Sequence, residues 1–473
     1  MDRKQIFQMK QQGKGTRFLF EKRNLVPFGF VFFLCVFPVL AEELPPLPKG
    51  PLRLTSIKPE QLKADYWISR LSDPHKILKT PEEMKALNED IHAMVQEAKD
   101  IFKMELRKTG SLIRNQIELE FKTVRGRILF DDEGNRIPQS LFDEQIGPNL
   151  DLDQMPPSLT LRWAAAVRPT SVRALPTSVK MLEEIGDIEF DQLQYTLIKL
   201  WTPVGIYHTT RDGAWSYIQA PYIRGWVRSK DLAAFSSRED LRHYVKSNRF
   251  LVVLGESIPI YEDPEFLKLD QSPSMGTTIP LKKKSQGGYE VWMPVRGKEG
   301  RINLRTAFVD PQSDVSTQFP AFTQANIIRQ AFKLLGARYG WGGMYQGRDC
   351  SGFTHDVFLS MGLDMPRDSK QQAFVGTQLG HFQPFQNEAE KAAALRSGGA
   401  GITLLRMPLH MMLYLGEENG NFYIIHSTWA ERISMSSDEK NRINQVIVSD
   451  MTLNGNSYLG SLFDRTVSIN EIN

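Results

Sequence analysis

Three residues in the last third of the chain have the types and the order that nucleophilic catalysis needs: Cys350, His410 and His426. A thiol attacks a carbonyl efficiently when a base lies within hydrogen-bonding reach and a third group orients the second nitrogen of that base. The order cysteine, histidine, polar third residue supplies all three groups. We therefore expect a cysteine nucleophile, the alternative for any lone thiol being a small buried structural residue.

The composition of the whole chain narrows the class of protein. The 473 residues are 41% hydrophobic and 24% charged, which argues against a disordered or polytopic membrane protein, and the length suggests about three domains. Only two cysteines occur, Cys35 and Cys350. Two thiols exclude a disulfide-stapled scaffold and a zinc site built on four thiolates.

The residues around Cys350 predict a flexible loop that runs into a helix. Glycines are frequent between 340 and 347, and the apolar spacing typical of a helix starts at Phe353. Cys350 would then lie at a helix N-terminus, where free backbone N–H groups and the helix dipole favour a thiolate. Asp349 could cap this helix, although its own charge opposes thiolate formation.

Both histidines fall on predicted strands. His410 opens the run HMMLYLG and His426 ends the run FYIIH, so both would lie on neighbouring strands of one sheet. A metal site formed by Cys350 and these histidines is a less favoured alternative, because the chain has no Cys-x-x-Cys or His-x-x-x-His pair. We accordingly expect no metal and no other cofactor.

The remaining elements predict a multidomain protein. A helix is predicted from Thr80 to about Lys108, with Glu83 completing a capping box and Gly110 ending the segment. A second helix is predicted over 323–335. A helical half followed by short β-rich runs then makes the last 150 residues an α+β domain.

From about residue 160 to 310 the sequence consists of short β-type runs separated by turns, such as the Asp212-Gly213 turn. Two small antiparallel barrels in tandem fit this pattern better than one large sheet. We expect the interleaved tryptophans, Trp201, Trp215 and Trp226, to form barrel core rather than a ligand platform.

The N-terminus has the basic, apolar, small-residue order of a secretory signal peptide. The apolar run LVPFGFVFFLCVFPVL is short for a membrane span and contains prolines, which favours cleavage over anchoring. Cys35 lacks the small preceding residues of a lipoprotein signal. Residues 1–41 carry seven basic and two acidic side chains, so their removal changes the formal net charge from +3 to −2. This balance gives no reason to expect nucleic-acid binding.

The run Tyr339-Gly340-Trp341-Gly342-Gly343 before Asp349-Cys350-Ser351-Gly352, followed by His410 and His426, resembles the NlpC-type cysteine peptidases that cut bacterial cell-wall peptides. These motifs cover the last 150 residues and are specific as a set. The phrases FDQLQ, DGAWSYIQ and GWV resemble members in which the catalytic domain follows two bacterial SH3-like barrels and an N-terminal wrapping segment.

The resemblance implies cleavage of the γ-D-glutamyl bond to the diamino acid, meso-diaminopimelate or lysine, in peptidoglycan stem peptides. It makes Cys350 the nucleophile, His410 the base and His426 the orienting third member. Tyr339 would help to hold the oxyanion beside the backbone N–H of Cys350.

In the SH3-bearing relatives, acidic and hydroxyl residues hold the free amino group of an N-terminal L-alanine. The matching positions here are Asp349, Ser351, Asp368 and Ser369. An ammonium in a closed subsite needs a carboxylate and further hydrogen-bond acceptors, so the chemistry agrees. The first barrel supplies more contacts in relatives, and Tyr217 or Glu256 are candidates.

Two other functions are compatible with the same residues. One is a cell-wall binding or scaffold protein with an inactive peptidase domain, which the retention of Cys350, both histidines and Tyr339 disfavours. The other is an amidase that cuts the muramoyl-L-alanine bond with similar cysteine–histidine chemistry.

The predicted fold class is multidomain: an N-terminal helical wrapping segment, two small SH3-like β-barrels and a C-terminal α+β papain-like cysteine peptidase domain. The expected partners are peptidoglycan stem peptides or muropeptide fragments, with no nucleic acid and only a transient membrane contact, for a monomer exported to the periplasm or cell envelope. The predicted boundaries are 1–41 for the signal peptide, 42–155 for the extended and helical stabilising segment, 156–240 and 241–315 for the SH3-like domains, and 320–473 for the peptidase domain.

Overall fold

The computed structural model describes residues 51–473, which form three antiparallel sheets, one two-stranded ribbon and a set of mostly short helices. The predicted signal peptide, residues 1–41, lies outside the described residues, and so does Cys35. Within residues 51–473 no helix is long and apolar enough to cross a membrane. The architecture is thus a multidomain mixture of helix and sheet, as the sequence predicts.

Helices occur mainly before the first large sheet and around the third. The α-helices are α1 (Ala64–Ile68), α2 (Pro81–Met94), α3 (Gly110–Arg125), α4 (Gly147–Asn149), α5 (Arg238–Val245), α6 (Gln324–Lys333), α7 (Cys350–Leu359), α8 (Ser369–Gln372), α9 (Glu388–Ser397) and α10 (Leu462–Arg465). Short 3₁₀ or π segments cover Pro59–Leu62, Ile101–Lys103, Leu141–Ile146, Leu152–Gln154, Ser229–Asp231, Lys298–Gly300 and Trp341–Gln346.

The first sheet has seven antiparallel strands in the order β5-β4-β8-β7-β6-β3-β9. Its strands are β3 (Arg162–Ala166), β4 (Thr170–Arg173), β5 (Gln194–Ile198), β6 (Pro203–Thr209), β7 (Trp215–Ala220), β8 (Ile223–Arg228) and β9 (Leu232–Ala234). Trp201, Trp215 and Trp226 are all buried, which confirms their predicted place in the core. A ribbon of β1 (Arg107–Thr109) and β2 (Ser158–Thr160) precedes this sheet.

The second sheet also has seven strands, in the order β12-β11-β15-β14-β13-β10-β16. Its strands are β10 (Phe250–Val253), β11 (Ile260–Tyr261), β12 (Leu269–Gln271), β13 (Thr278–Ser285), β14 (Gly288–Arg296), β15 (Ile302–Val309) and β16 (Val315–Ser316). Apolar residues of both sheets join one buried cluster, in which Trp201 Nε1 donates to the carbonyl of Trp292 at 2.9 Å.

The third sheet carries the predicted catalytic histidines, with the order β17-β22-β18-β19-β20-β21. Its strands are β17 (Thr377–His381), β18 (Thr403–Met407), β19 (His410–Glu418), β20 (Asn421–Arg432), β21 (Lys440–Asp450) and β22 (Ser468–Glu471). Helix α7 packs on β19 and β20 through a core that includes Phe353, Val357, Met411 and Ile425.

The helix that begins after Thr80 is shorter than the sequence predicts. Its capping box is present, because the Glu83 N–H donates to Thr80 Oγ1 at 3.2 Å and the Thr80 N–H donates to the Glu83 carboxylate at 2.8 Å. However, α2 ends at Met94 rather than near Lys108, since Val95 already has an extended backbone. The apolar spacing continues past the helix because Ile101 and Phe102 are buried from a 3₁₀ turn instead.

Gly110, expected to end that helix, is instead the first residue of α3. A Cβ atom at this position would lie 1.9 Å from the carbonyl oxygen of Pro156. The glycine is therefore needed for a close backbone contact and does not mark a helix end.

The N-terminal residues share the core of the third sheet. Trp67 is 1% exposed and packs with Tyr423 of β20 at 5.2 Å between ring centroids. Tyr66 and Gln61 both donate to the carboxylate of Glu418, at 2.6 and 2.7 Å. This segment is therefore an integral part of the C-terminal core.

Replacement of Trp67 by alanine is predicted to destabilise the C-terminal core by about 3–5 kcal/mol, because a large buried aromatic side chain would leave a cavity. Thermal unfolding should show a melting temperature lowered by several degrees. Leu119→Ala is the control, since Leu119 is 69% exposed and its loss should leave the melting temperature almost unchanged. A Trp67→Ala protein as stable as the control would contradict this role.

Candidate active site

Cys350 is the first residue of α7, and Asp349 is the N-cap, as predicted. The Asp349 carboxylate accepts the Gly352 N–H at 2.7 Å, which fixes the first helical turn. The loop before it needs glycine at Gly343, whose φ is +80° and whose Cβ would lie 2.7 Å from the Cβ of Leu197 in β5. The thiol is 8% exposed and lies 3.9 Å from the carbonyl oxygen of Leu409.

The two histidines lie on adjacent strands and contact each other directly. His410 begins β19, and its Nε2 lies 2.7 Å from Nδ1 of His426 in β20. Nε2 of His426 lies in turn 3.1 Å from Oγ of Ser449 in β21. The structure thus extends the predicted pair into a buried row of three side chains.

Proton placement in this row follows from the ring nitrogens. Because Nε2 of His410 faces His426, Nδ1 is the nitrogen left to accept a proton from a thiol. A His410 that accepts a proton on Nδ1 carries its own proton on Nε2 and donates it to Nδ1 of His426, and the His426 proton then lies on Nε2, facing Ser449. A hydroxyl that accepts this proton holds both rings in the tautomer a general base requires.

Burial decides the resting charge of the site. It raises the pKa of the Cys350 thiol to about 12, and the Asp349 carboxylate adds to the rise. Burial also lowers the pKa of His410 to about 3, with the charge of Arg465 acting in the same direction. The N–H of Ser351 at the helix terminus lowers the pKa of the thiol, as the sequence predicts, but burial and the Asp349 carboxylate outweigh this effect.

Asp349 forms a buried ion pair with Arg367, at 2.6 Å between Oδ2 and Nη2. Burial opposes its charge, but Arg367 and the N–H groups of Gly352 and Gly342 lower the pKa of Asp349 overall. Ser351 joins this cluster, since its Oγ lies 3.3 Å from Asp349 Oδ1 and accepts from Arg367 Nη1 at 2.9 Å. Two of the predicted substrate-binding residues are thus brought together beside Cys350.

The other two predicted substrate-binding residues begin α8. Asp368 is its exposed N-cap and accepts the Lys370 N–H at 2.7 Å, and Ser369 is half-buried at the first helical position. They follow Arg367 directly in the chain, which ties them to the Asp349 cluster.

The connection between β4 and β5 contributes an aromatic residue, Phe190, to a wall at the site that also includes Tyr339 and Trp429. Tyr339 is 8% exposed, and Phe190 packs at 6.1 Å from it and at 5.4 Å from Trp429. Burial raises the pKa of Tyr339 well above its ordinary value, so its hydroxyl keeps its proton and can donate. Glu189 anchors this wall by ion pairs with Arg338 at 2.8 Å and Arg442 at 2.6 Å.

The barrel residues considered from the sequence lie elsewhere. Tyr217 is 2% exposed and packs against Trp226 inside the first sheet's own core, which removes it as a contact residue. The Glu256 carbonyl accepts from Arg348 Nη2 at 3.0 Å, and its carboxylate lies 3.9 Å from the same guanidinium.

Sequence reasoning missed Arg367 and Ser449. Arg367 adjoins the predicted Asp368, so the signal was its place in the motif PRDS. Ser449 becomes visible only once the strand register is known, because Ile424 pairs with Ser449 while His426 pairs with Ile447.

Two regions of the chain match known protein families. Residues 181–228 match the model of an SH3 domain of the SH3b1 type, and residues 336–452 match that of the NlpC/P60 family. A γ-D-glutamyl-L-lysine dipeptidyl-peptidase of Bacillus cereus is 29% identical over 212 residues, covering 44% of this chain and 57% of the relative. One of the same name from Bacillus subtilis is 34% identical over 101 residues, covering 21% of this chain and 31% of the relative.

The fold has a close parallel among solved structures. An NlpC/P60 endopeptidase from Photobacterium damselae subsp. piscicida superposes with a TM-score of 0.69 at 18% identity, covering 91% of this chain and 98% of that one. At this identity the likeness concerns the fold. Together, the site geometry and the two matched regions lead to one conclusion: the chain contains one region that matches an SH3 domain, residues 181–228, and one that matches the NlpC/P60 family, residues 336–452.

Proposed function

We propose that this protein hydrolyses the γ-D-glutamyl bond to the diamino acid in peptidoglycan stem peptides, with Cys350 as the nucleophile. The observation that carries the proposal is the buried row His410–His426–Ser449, whose first member directly follows Leu409, the residue whose carbonyl lies 3.9 Å from the thiol. The names of the two Bacillus relatives point to the same bond.

The first step is acylation of the thiol. Nδ1 of His410 takes the proton of Cys350 as the sulfur forms a bond to the γ-carbonyl carbon of D-glutamate. The backbone N–H of Cys350 and the hydroxyl of Tyr339 stabilise the oxyanion. The C–N bond then breaks, and the proton on His410 passes to the leaving amine.

Water completes the reaction. His410, neutral again, takes a proton from water, whose oxygen attacks the thioester and releases the acid and the free thiol. Burial raises the pKa of the thiol and lowers that of His410, which favours proton transfer during the attack over an ion pair formed before the substrate binds.

The free L-alanine amine at the other end of the substrate is bound by Asp349, Ser351, Asp368 and Ser369. Asp349 already pairs with Arg367, whereas Asp368 is exposed, so Asp368 is the carboxylate with room for an incoming ammonium. This subsite favours short or already trimmed peptides, and the wall anchored by Glu189 limits the space around it.

Cys350→Ala is predicted to abolish hydrolysis of L-Ala-γ-D-Glu-meso-diaminopimelate, because no other thiol occurs among the described residues. Mass spectrometry of the products checks both activity and bond, and the melting temperature shows whether the variant is folded. Turnover by the folded variant would overturn the assignment of the nucleophile. Release of L-alanine from muramic acid by the wild type would indicate an amidase, and wall binding without turnover a scaffold.

Ser449→Ala is predicted to lower kcat about tenfold. The variant loses one buried hydrogen bond, worth roughly 1.4 kcal/mol, that holds His426 in one tautomer. KM should change little because Ser449 does not reach substrate, and Ser449→Thr should restore part of the rate. Ser436→Ala on the exposed β20–β21 connection is the matched control. An unaltered kcat in Ser449→Ala would show that the row ends at His426.

Acetylation of the L-alanine amine is predicted to reduce kcat/KM at least tenfold, because it removes the charge that the carboxylates bind. Asp368→Asn should reduce the rate for the free peptide and narrow this difference. Equal rates for free and acetylated peptides would instead indicate an endopeptidase with an open subsite.

A further inference from the structure

Helix α10 ends in an arginine that is buried without an anionic partner. Arg465 is 8% exposed, and its Nε and Nη1 have no hydrogen-bond partner among residues 51–473. A buried guanidinium ordinarily pairs with a carboxylate, since an unpaired charge away from water is costly. Burial and the nearby Arg432 accordingly lower the pKa of Arg465 to about 10. The group remains charged at neutral pH and has unused donors.

The fold places Arg465 beside the hairpin that carries the catalytic base. Two residues after it, the Val467 N–H donates to the carbonyl of Arg406 at 2.8 Å. Arg406 pairs with Met411 across β18 and β19, and the next pair of this hairpin joins Met407 to His410. The lowering of the His410 pKa by Arg465 agrees with this proximity.

The surroundings of Arg465 are cationic rather than neutralised. Nε of Arg406 also lacks a partner. Asp438 is shared by Arg432 at 2.8 Å and Lys440 at 3.2 Å, which occupies its carboxylate. Asp464, adjacent in the chain, accepts the Ser461 N–H at 2.9 Å as part of the helix cap. The unpaired donors of Arg465 therefore fit a carboxylate supplied by a ligand.

The proposed role of His410 as the base indicates which end of the substrate lies near Arg465. In the proposed mechanism His410 delivers its proton to the leaving amine, so groups that lie beside the β18–β19 hairpin near His410 are on the side of the leaving diamino acid. Diaminopimelate carries a second carboxylate at the end of its side chain, whereas lysine carries only an ammonium there. A carboxylate would pair with Arg465, and a lone ammonium would be repelled by it.

We propose that Arg465 binds the side-chain carboxylate of meso-diaminopimelate and makes the enzyme select that diamino acid over lysine. This inference rests on the proposed function and deepens it. It also separates this chain from the two Bacillus relatives, whose names specify lysine.

The first test uses the wild-type enzyme and three peptides of the form L-Ala-γ-D-Glu-X. X is meso-diaminopimelate, the same residue with its side-chain carboxyl amidated, or L-lysine. We expect kcat/KM to be at least tenfold higher for the free diaminopimelate peptide than for either of the others, as a charge-assisted hydrogen bond requires. Equal values for the free and amidated peptides would overturn the proposal without any variant.

The second test is Arg465→Gln, with Arg396→Gln as the matched control, because Arg396 is exposed and pairs with Glu417 in the same domain. The ratio of kcat/KM for diaminopimelate over lysine should fall at least tenfold in Arg465→Gln and stay at the wild-type value in Arg396→Gln. Amidation should have little further effect in Arg465→Gln. A wild-type ratio in Arg465→Gln would exclude the residue as the determinant.

These outcomes distinguish a failure of the proposed function from a failure of the proposed role of Arg465. If the wild type cleaves none of the three peptides, the proposed function fails and this inference fails with it. If all three are cleaved at similar rates, the function stands and the role of Arg465 is overturned. Removal of an unpaired buried charge should keep or raise the melting temperature of Arg465→Gln, and the amidated peptide decides the matter if that variant does not fold.

Discussion

The buried ion pair between Asp349 and Arg367 is the interaction on which the rest of the site depends. The Asp349 carboxylate also accepts N–H groups from Gly342 in the glycine loop and Gly352 in α7, so one side chain sets the position of Cys350. Nε of Arg367 also donates a hydrogen bond to Thr196 Oγ1 of the first sheet, at 2.8 Å. Loss of either charge would leave the other buried alone, at a typical cost of about 3–5 kcal/mol.

Burial also shifts the pKa values of the thiol and of the two neighbouring histidines towards their neutral forms. The same dry surroundings that raise the pKa of Cys350 lower those of His410 and His426. A neutral thiol is less reactive than a thiolate, so in the proposed mechanism the proton of Cys350 must be removed as the sulfur attacks. The hydrogen-bonded row His410–His426–Ser449 is the arrangement that would hold His410 in the tautomer for this transfer.

The first sheet is part of the site as well as a neighbouring domain. Gln194 Nε2 donates to the Gly342 carbonyl at 2.8 Å, and Lys199 forms an ion pair with Asp356 of α7 at 2.8 Å. Phe190 adds the aromatic wall over Tyr339. Such contacts hold the first sheet and the loop before β5 against the glycine loop and α7, so the position of Cys350 depends on both parts of the chain.

The sequence by itself determined the local features: the helix start at Cys350, its Asp349 cap, the strands bearing His410 and His426, and the capping box at Thr80. Each depends on neighbours within a few residues, where propensity and hydrogen-bonding geometry decide. The prediction placed the end of α2 too late, because buried apolar residues recur beyond Met94 although the backbone there is no longer helical. Only the tertiary structure decided the burial of the thiol and of Arg465, the partner of Asp349 and the contact between Ser449 and His426. Those depend on desolvation and on strand register between segments far apart in the chain, which residue spacing does not encode.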